Sequence, residues 1–461
     1  MAKTRRMSRR GFVKRSAAAT LAIPYFVPSS ALGLAGNVSP SNRIIYGFVG
    51  CGGHGAGWNL DQIFRMNDAQ VVVVCDVDQA RIKKGKDRVE KHYGSKLGKN
   101  YKGCDTTTDF REVINRKDID VLSNHTPDHW HVIPSLMAVR AGKDVICEKP
   151  LTVFVEEGRV LCDAVKKHKR IFQTASENRS IDTYIHICEL VRAGRIGKLK
   201  HIKVSLPGGN DPRGANFTQR DERPVPKGFD YKMWLGQAPV RPYVPARCHG
   251  SFRWCLDYSG GRLTDWGAHL IDLAQWGNNT ENTGPVEVEG KGKFPPKTSL
   301  FNTAHAFDIN YKYANGVTLN VSSSKPGIRF EGTEGWIGFD NWRAPLQASD
   351  KSIIASKIAE SEQLYRPSQI VPRRSGIGGE HRNFVDCVKS RKPCYAPAET
   401  GHRTITIAHI GNIAMQLGRK LHWNPNKERF VNDAEADKML SRSQREPWTM
   451  ANVDKWIKAN A

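Results

Sequence analysis

The sequence predicts an α/β protein with two domains: a doubly wound parallel sheet, followed by an α+β domain that is rich in strands. Near-continuous β-branched runs alternate with helical patterns in the first part of the chain, as in buried parallel strands joined by helices. Strand-like stretches and a hairpin signal dominate a later part. The length of 461 residues, with 39% hydrophobic and 25% charged residues, suits two soluble domains.

The first 36 residues have the pattern of a twin-arginine export signal. The run SRRGFVK (8–14) leads into an apolar, alanine-rich stretch that Pro24 and Pro28 interrupt and that ends in small residues. Such leaders are removed after transport, and we expect cleavage between residues 31 and 36. The sequence therefore predicts a periplasmic or cell-envelope protein that meets the twin-arginine translocase as a folded chain.

The charge balance is strongly basic. Residues 1–36 hold seven Lys and Arg and no acid, so the formal charge of +24 falls to +17 for the remainder. The basic residues are scattered, without a zinc knuckle or a recognition-helix pattern, which argues against nucleic acid as a partner. A soluble basic surface, an anionic glycan or an acidic envelope would each suit this charge. No apolar run after the leader approaches the roughly 18 residues of a membrane span, so we expect no membrane insertion.

Residues 43–76 follow the order strand, glycine turn, helix, strand, acid. A short apolar run (43–49) leads into GCGGHG (50–55), which fits G-x-G-x-x-G. Helical spacing continues to residue 66, and AQVVVVCDVD (69–78) contains the next buried strand. A lone glycine match is weak, but this context is that of a dinucleotide-binding βαβ unit. The sequence therefore predicts a Rossmann domain over residues 43–165.

The glycine turn and the acid after the second strand predict an NAD site. Gly50 permits the tight turn, Gly52 lets the backbone approach a pyrophosphate, and Gly55 allows close packing. Asp76 is placed to bond the ribose hydroxyls, which favours NAD over NADP, whereas Arg81 keeps NADP as an alternative. The contacts predicted in this segment are Gly50, Gly52, Gly53, His54, Gly55 and Asp76.

Three histidines follow the next strand, in NHTPDHWH (124–131). Imidazoles are common metal ligands, but no cluster of carboxylates or cysteines accompanies them. The ten cysteines lack any CxxC spacing and are expected as core thiols. A loop at the carboxyl end of a parallel strand is also where a doubly wound sheet binds its ligand. We therefore expect no metal, a helix N-cap at Asp128, and cofactor contacts from Asn124, Pro127 and His131.

The stretch CEKPLT (147–152) predicts a reactive lysine. A strand over 144–147 runs into Glu148, Lys149 and Pro150, and the proline restricts the backbone of the lysine before it. An ammonium group beside a nicotinamide can hold the alkoxide that develops as hydride leaves, or shuttle its proton. We place Glu148 and Lys149 at the cofactor and Lys149 in catalysis. Alone, this stretch also fits an ordinary surface turn.

Taken together, GCGGHG, CDVD (75–78), TPDHWH (126–131) and CEKPLT resemble the glucose–fructose oxidoreductase/inositol dehydrogenase (Gfo/Idh/MocA) family. The resemblance extends from about residue 43 to residue 448 and, with the leader, is to an exported branch of that family. It implies a second domain with an open, mostly antiparallel sheet that commonly packs against a partner subunit. We therefore expect a homo-oligomer, a dimer or a tetramer.

Strand patterns later in the chain agree with the implied second domain. Residues 199–206, 286–294 and 306–324 are strand-like, and Asn315–Gly316 is a strong hairpin signal. We assign residues 166–425 to a substrate and oligomerisation domain. Residues 426–461 are expected to form a C-terminal tail.

The resemblance also implies a second catalytic motif, DWGAHLID (265–272). Asp265 and His269 are four residues apart, which places both side chains on one face of a helix. By resemblance, Lys149 polarises the carbinol, His269 is the general acid/base, and Asp265 orients the substrate or tunes His269. Asp272 is expected to support the site. The alternative is a helix whose His269 belongs to a buried structural network.

Substrate contacts are predicted at Arg179, Arg253 and Trp266. Glu177, two residues before Arg179, is either a specificity residue or its salt-bridge partner. Arg253, Trp254 and Trp266 suit a sugar platform, because aromatic faces pack against the C–H surfaces of a pyranose. Core packing is the alternative for each tryptophan.

These features predict an exported oxidoreductase that holds NAD tightly and transfers hydride to or from a secondary alcohol of a sugar or glycoside. No dinucleotide pool exists outside the cytoplasm, so the dissociation constant should be on the order of nanomolar, about −12 kcal/mol. One alternative is a redox-neutral glycosidase or lyase that acts through a transient keto-sugar. Another is a protein that binds glycan or cofactor without turnover. The basic charge also fits an anionic sugar.

Overall fold

The computed structural model describes residues 42–97, 101–209, 221–296, 298–342, 344–371 and 379–458. The predicted leader, residues 1–36, lies outside them. From Ile44 onward the described residues belong to one compact unit that contains two sheets.

Six short strands form the first sheet: β1 (Ile44–Val49), β2 (Ala69–Cys75), β3 (Asp105–Thr107), β4 (Val121–Asn124), β5 (Asp144–Cys147) and β6 (Phe172–Thr174). Their order is β3-β2-β1-β4-β5-β6, and every neighbouring pair is parallel. Strands β4 and β5 are buried along their whole length, as apolar runs without alternation predict. This doubly wound order confirms the fold predicted for the first part of the chain.

Helices lie on both faces of this sheet. They are a π-helical turn (Gly55–Asn59) that continues into α1 (Leu60–Phe64), then α2 (Gln79–Leu97), α3 (Phe110–Ile114), α4 (Val132–Arg140) and α5 (Val155–His168). Neighbouring residues of β1 enter different cores, since side chains alternate along a strand. Val49 belongs to the core that contains the apolar side chains of α4, whereas Phe48 belongs to the core that includes residues of α2.

Nine strands form the second sheet: β7 (Leu199–Leu206), β8 (Pro285–Lys293), β9 (Ala306–Tyr313), β10 (Thr318–Ser323), β11 (Gly327–Gly332), β12 (Trp336–Phe339), β13 (Gln347–Ala348), β14 (Leu421–Asn424) and β15 (Arg429–Phe430). Their order is β13-β12-β11-β7-β10-β9-β8-β14-β15, and only β7 and β10 pair in parallel among them. The predicted hairpin joins β9 to β10, with Gly316 at a φ of +85°. Along β9, buried and solvent-facing residues alternate, so one face of the sheet packs on the core.

The remaining helices are α6 (Asp182–Arg192), α7 (Tyr231–Leu235), α8 (Arg262–Asp265), α9 (Gly267–Gly277), α10 (Lys351–Ala355), α11 (Glu380–Ser390), α12 (Ala398–Leu417), α13 (Ala434–Asp437) and α14 (Val453–Trp456). Two of them, α9 and α12, pack against each other and against the inner face of the second sheet. All ten cysteines are buried free thiols. Within the described part of the chain, no helix is long and apolar enough to cross a membrane.

The structure moves two predicted boundaries. Strand β6 pairs with β5, so the first sheet extends beyond the predicted limit at residue 165. Residues 426–458, the described part of the predicted tail (426–461), belong to the fold, because β15 pairs with β14 and Trp448 is buried against Trp130, with the ring centres 5.2 Å apart. Both differences have one cause: a short strand and a few large apolar side chains gain stability only by joining an existing sheet or core.

Candidate functional site

The glycine turn lies where β1 and β4 diverge, at the carboxyl edge of the parallel sheet. Gly50 has a φ of +97°, and a Cβ there would stand 2.4 Å from the carbonyl oxygen of His125. At Gly55 a Cβ would stand 2.0 Å from the carbonyl oxygen of Gly50, so both positions need glycine for close approach. Gly52 and Gly53 line a cavity, and a Cβ at Gly53 would meet nothing within 4 Å.

Asp76 follows β2 directly and faces the same cavity. Its carboxylate accepts hydrogen bonds from the backbone N–H groups of Cys51, at 2.8 Å, and Asp78, at 3.1 Å. Burial raises its pKa to about 6, although Arg81 opposes the shift. Arg81 also lines the cavity, beside Gly52. Asp76, which favours NAD, and Arg81, which favours NADP, therefore line the same cavity.

The loop after β4 is held by its own side chains. Asn124 Nδ2 donates to the carbonyl oxygen of His131, at 3.0 Å, and its Oδ1 accepts from the Thr126 hydroxyl, at 2.8 Å. Pro127 and His131 line the cavity, whereas Asn124 does not and acts as a brace for the loop. The ring nitrogens of His131 lie 2.7 Å from the carbonyl oxygen of Pro150 and 2.9 Å from that of Thr126.

Asp128 is not the helix N-cap that the sequence analysis expects. It lies inside a 3-10 turn (Asp128–Trp130), and its Oδ2 accepts from the Ser259 hydroxyl, at 2.5 Å. His129 Nε2 lies 2.9 Å from the carbonyl oxygen of Trp234. Among the described residues, no group of three or more His, Cys, Asp or Glu side chains is arranged to hold a metal ion.

Lys149 and Asp265 form the central ion pair of the site. Lys149 Nζ donates to Asp265 Oδ1, at 2.9 Å, and to its backbone oxygen, at 3.0 Å. Arg253 Nε lies 3.3 Å from the same Oδ1. Burial favours a raised pKa for Asp265, but the charges of Lys149 and Arg253 outweigh it and hold the pKa well below its usual range. Asp265 thus stays ionised and anchors the lysine.

Glu148 joins the end of β5 to the glycine turn. Its Oε1 accepts from Asn59 Nδ2, at 2.8 Å, and lies 3.1 Å from His54 Nε2, while its Oε2 accepts from the backbone N–H of Lys149. Burial opposes ionisation, but His54 and His125 lower the pKa of Glu148 well below its usual range. The charge of Glu148 raises the pKa of His54 in return, against burial. This pair fixes the glycine turn relative to Lys149.

His269 faces the cavity from the first turns of α9. The helix predicted across residues 265–272 is interrupted at Trp266, between α8 and α9, yet both motif residues remain beside Lys149, whose charge lowers the pKa of each. Burial is the larger cause at His269 and takes its pKa to about 3. Trp266 does not line the cavity and packs instead against Trp342, with ring centres 5.4 Å apart.

Arg179 also lies outside the cavity. Its guanidinium makes a bidentate pair with Asp272, at 2.8 Å for both contacts, and a further pair with Glu281, and it is only 2% exposed. The guanidinium carbon of Arg179 lies 4.8 Å from the centre of the Trp276 ring. The structure therefore does not bring Arg179 to a substrate. Asp272 supports the fold through this pair rather than through Lys149 or His269.

The cavity has a volume of about 550 Å³ and extends from the glycine turn to His269. It contains side chains that sequence reasoning missed, among them Trp58 on the π-helical turn and Glu380 at the start of α11. The spacing of apolar residues predicts the helix that contains Trp58. It carries no signal for Glu380, which reaches the site from more than 200 residues beyond Lys149.

Two family models match the chain. One, described as the oxidoreductase family, NAD-binding Rossmann fold, matches residues 44–176, and the other, the C-terminal alpha/beta domain of the same family, matches residues 183–450. An α-N-acetylgalactosaminidase of Shewanella oneidensis is 27% identical over 176 residues, which are 38% of this chain and 37% of that protein. The match thus spans little more than a third of that relative.

Two further proteins are similar over more of their length. The oxidoreductase YrbE of Bacillus subtilis is 24% identical over 310 residues, 66% of this chain and 75% of that protein. The solved WlbA dehydrogenase of Bordetella pertussis, in complex with NADH and UDP-GlcNAcA, superposes with a TM-score of 0.61 at 14% identity, covering 83% of this chain and 98% of that one. With the parallel sheet, the glycine turn and both family models in agreement, the chain belongs to the Gfo/Idh/MocA family of NAD-binding oxidoreductases.

Proposed function

We propose that the protein transfers hydride between a tightly bound nicotinamide cofactor and a secondary alcohol of a sugar or glycoside. The observation that carries this proposal is the position of Lys149 in a cavity that begins at the glycine turn. An ammonium group has three N–H donors, and two of them are directed to Asp265. The third is available to the oxygen of a substrate.

The residues at the other end of the cavity fit a dinucleotide. Backbone rather than side chains forms the wall at Gly50, Gly52, Gly53 and Gly55, where a pyrophosphate would be held, and Asp76 would hold the ribose hydroxyls. Glu148 and Lys149 would border the nicotinamide, which when bound supplies the acceptor or donor of hydride. We propose NAD as the cofactor, because the carboxylate of Asp76 repels a 2′-phosphate, with NADP as the alternative that Arg81 supports.

His269 is suited to take the proton of the reacting hydroxyl. Burial and the charge of Lys149 lower the pKa of its imidazole to about 3, so the ring is neutral at neutral pH and can accept a hydrogen bond from the reacting hydroxyl. To hold the proton it needs the negative charge that develops on the substrate oxygen beside it. Its Nδ1 is buried and accepts or donates no hydrogen bond within the described structure, while Asn178 Nδ2 donates to its backbone oxygen at 3.2 Å. Lys149 stabilises the negative charge that develops on the substrate oxygen.

We expect binding of NAD to protein stripped of cofactor to weaken as the pH falls through about 6. Asp76 has a raised pKa, so it is ionised above that pH and protonated below it, where it accepts fewer hydrogen bonds from ribose. Calorimetric titrations between about pH 5 and pH 8 measure the effect. Asp76→Asn should bind weakly at every pH and lose this dependence, whereas Asp87→Asn, at the exposed Asp87 of α2, should behave as wild type. An unchanged pH dependence in Asp76→Asn would contradict the assignment.

Tight retention of the cofactor and export belong to the same proposal. The pattern SRRGFVK supports transport of a folded, loaded protein to the periplasm or cell envelope, where a lost cofactor is not replaced. Denaturing the purified protein is expected to release about one NAD per chain, identified by mass spectrometry of the supernatant. Protein without released NAD or NADP would count against both retention and the reaction.

A redox-neutral glycosidase is the second candidate, which the identity to an α-N-acetylgalactosaminidase favours. Oxidation of one sugar carbon acidifies the neighbouring C–H, so that the aglycone can be eliminated before hydride returns. The same lysine and histidine would serve both reactions. Release of aglycone from a glycoside without net formation of NADH would select this candidate.

A homo-oligomer remains part of the proposal, and light scattering of the purified protein tests it.

A further inference from the structure

The cavity contains polar groups that the proposed hydride transfer does not use. Glu177 follows β6 and Glu380 begins α11, and both side chains line the cavity with Trp58. The N–H of Ala175 donates to the carbonyl oxygen of Cys147, at 2.8 Å, so the chain that leads to Glu177 lies beside the end of β5. These acids therefore belong to the same end of the cavity as Glu148 and Lys149.

Glu380 is a buried carboxyl group with an unused oxygen. It is 1% exposed, and its Oε1 accepts from Trp58 Nε1, at 3.2 Å. Its Oε2 has no hydrogen-bond partner in the described structure. A buried oxygen left without a hydrogen-bond partner is unfavourable, and a ligand in the cavity is the group placed to supply a donor.

Two cations that the structure describes at this end of the cavity already have carboxylate partners. Lys149 pairs with Asp265, at 2.9 Å, and His54 with Glu148, at 3.1 Å. Within the described chain, no Lys, Arg or His lies within ion-pair distance of Glu380, and burial together with the like charge of Glu177 raises its pKa to about 8.

We propose that Glu380 and Glu177, with the indole of Trp58, form a subsite for the ammonium group of an amino sugar. Carboxylates make their strongest hydrogen bonds with charged N–H donors, and the face of an indole attracts cations. A neutral hydroxyl satisfies one acceptor, whereas an ammonium group offers three donors and a compensating charge to the pair. The inference rests on the proposed function only in that the cavity receives a sugar.

The subsite predicts a cationic substrate, whereas the positive net charge of the chain suggests an anionic one. The basic residues are spread over the sequence, while specificity depends on the few groups that contact the ligand. Binding an ammonium group should also displace a proton from Glu380 to the buffer, because the ionised carboxylate is the better partner. Binding of a neutral sugar should release none.

Calorimetry on the cofactor-loaded protein tests the subsite with three matched pairs: glucosamine with glucose, galactosamine with galactose, and mannosamine with mannose. We expect at least one amino sugar to bind about tenfold or more tightly than its neutral partner, consistent with a buried charge-assisted contact. Its heat should differ between buffers of different ionisation enthalpy, which reports the released proton. Equal affinity within all three pairs would overturn the proposal.

Variants locate the preference within the cavity. Glu380→Gln keeps an acceptor for Trp58 and should reduce the ratio of the two affinities to about one, with no proton release. Glu177→Gln should reduce the affinity ratio in part, and this variant tests the subsite if Glu380→Gln does not fold. Glu360→Gln, at an exposed turn, should bind as wild type does. Glu380→Gln that folds and keeps the full preference would refute the subsite.

Reduction of the bound cofactor is followed separately by its absorbance. If an amino sugar binds selectively but no sugar reduces the bound cofactor, the proposed function is contradicted and the subsite is supported. Reduction by sugars without preference for an amino group would leave the function and remove the subsite.

Discussion

Lys149→Ala is expected to lower the rate at which a sugar reduces the bound cofactor by about 10³-fold, while the cofactor stays bound. Removing one positioned donor for a developing negative charge typically costs about 10²–10³ in rate, and the lysine also orients the reacting oxygen. The printed hydrogen bonds of Lys149 go to Glu148 and Asp265 and not to Asp76 or the glycine turn, so retention should not change. Single-turnover absorbance measures the rate, and mass spectrometry of the denatured protein measures retention.

The matched control is Lys166→Ala, at an exposed lysine of α5, which should react as wild type does. Asp265 keeps the contact with Arg253 at 3.3 Å when Lys149 is removed, so the variant should fold. Lys149→Arg should not restore the rate, since a planar guanidinium does not reproduce the geometry of an ammonium group. Wild-type reduction by Lys149→Ala would exclude the assigned role.

Arg179→Met is expected to destabilise the protein by about 3–5 kcal/mol, because it leaves the buried carboxylate of Asp272 without its bidentate partner. Urea denaturation followed by tryptophan fluorescence measures the loss. Arg192→Met is the control: Arg192 is exposed and pairs with the same Glu281, at 3.3 Å, so the loss should be about 1 kcal/mol or less.

The same variant separates a structural role from contact with a substrate. If Arg179 bound the sugar, its replacement would raise KM and leave the unfolding midpoint unchanged. The buried pair predicts the reverse, a lower midpoint with KM preserved in the folded fraction. An unchanged midpoint would therefore overturn the structural account.

Local patterns predict the parallel sheet and the glycine turn that lines the cavity, and the structure has both. A glycine turn between two apolar runs reflects steric needs that neighbouring residues impose, as Gly50 and Gly55 show. The pairing of Lys149 with Asp265 joins residues 116 positions apart, and only the family resemblance suggested that both belong to one site. Contacts over such separations depend on packing, which no local spacing encodes.

Failures of sequence reasoning have the same origin. Arg179 is predicted as a substrate contact, but its partners come from α9 and the segment after it. Glu380 gave no signal, since a helix start is an ordinary place for glutamate. Trp266 illustrates the ambiguity of aromatic residues, which serve a core as readily as a sugar.

The packing of Trp448 determines when, during synthesis, the wall of the cavity can be complete. Trp130 and Phe110 line the cavity, and the ring of Trp448 lies 5.2 Å and 6.2 Å from theirs. The wall of the cavity is therefore backed by a residue that lies more than 300 positions further along the chain. A nascent chain that still lacks residue 448 has the glycine turn but an unsupported pocket around it. Filling of the pocket should accordingly follow synthesis of residue 448 and not of the glycine turn alone.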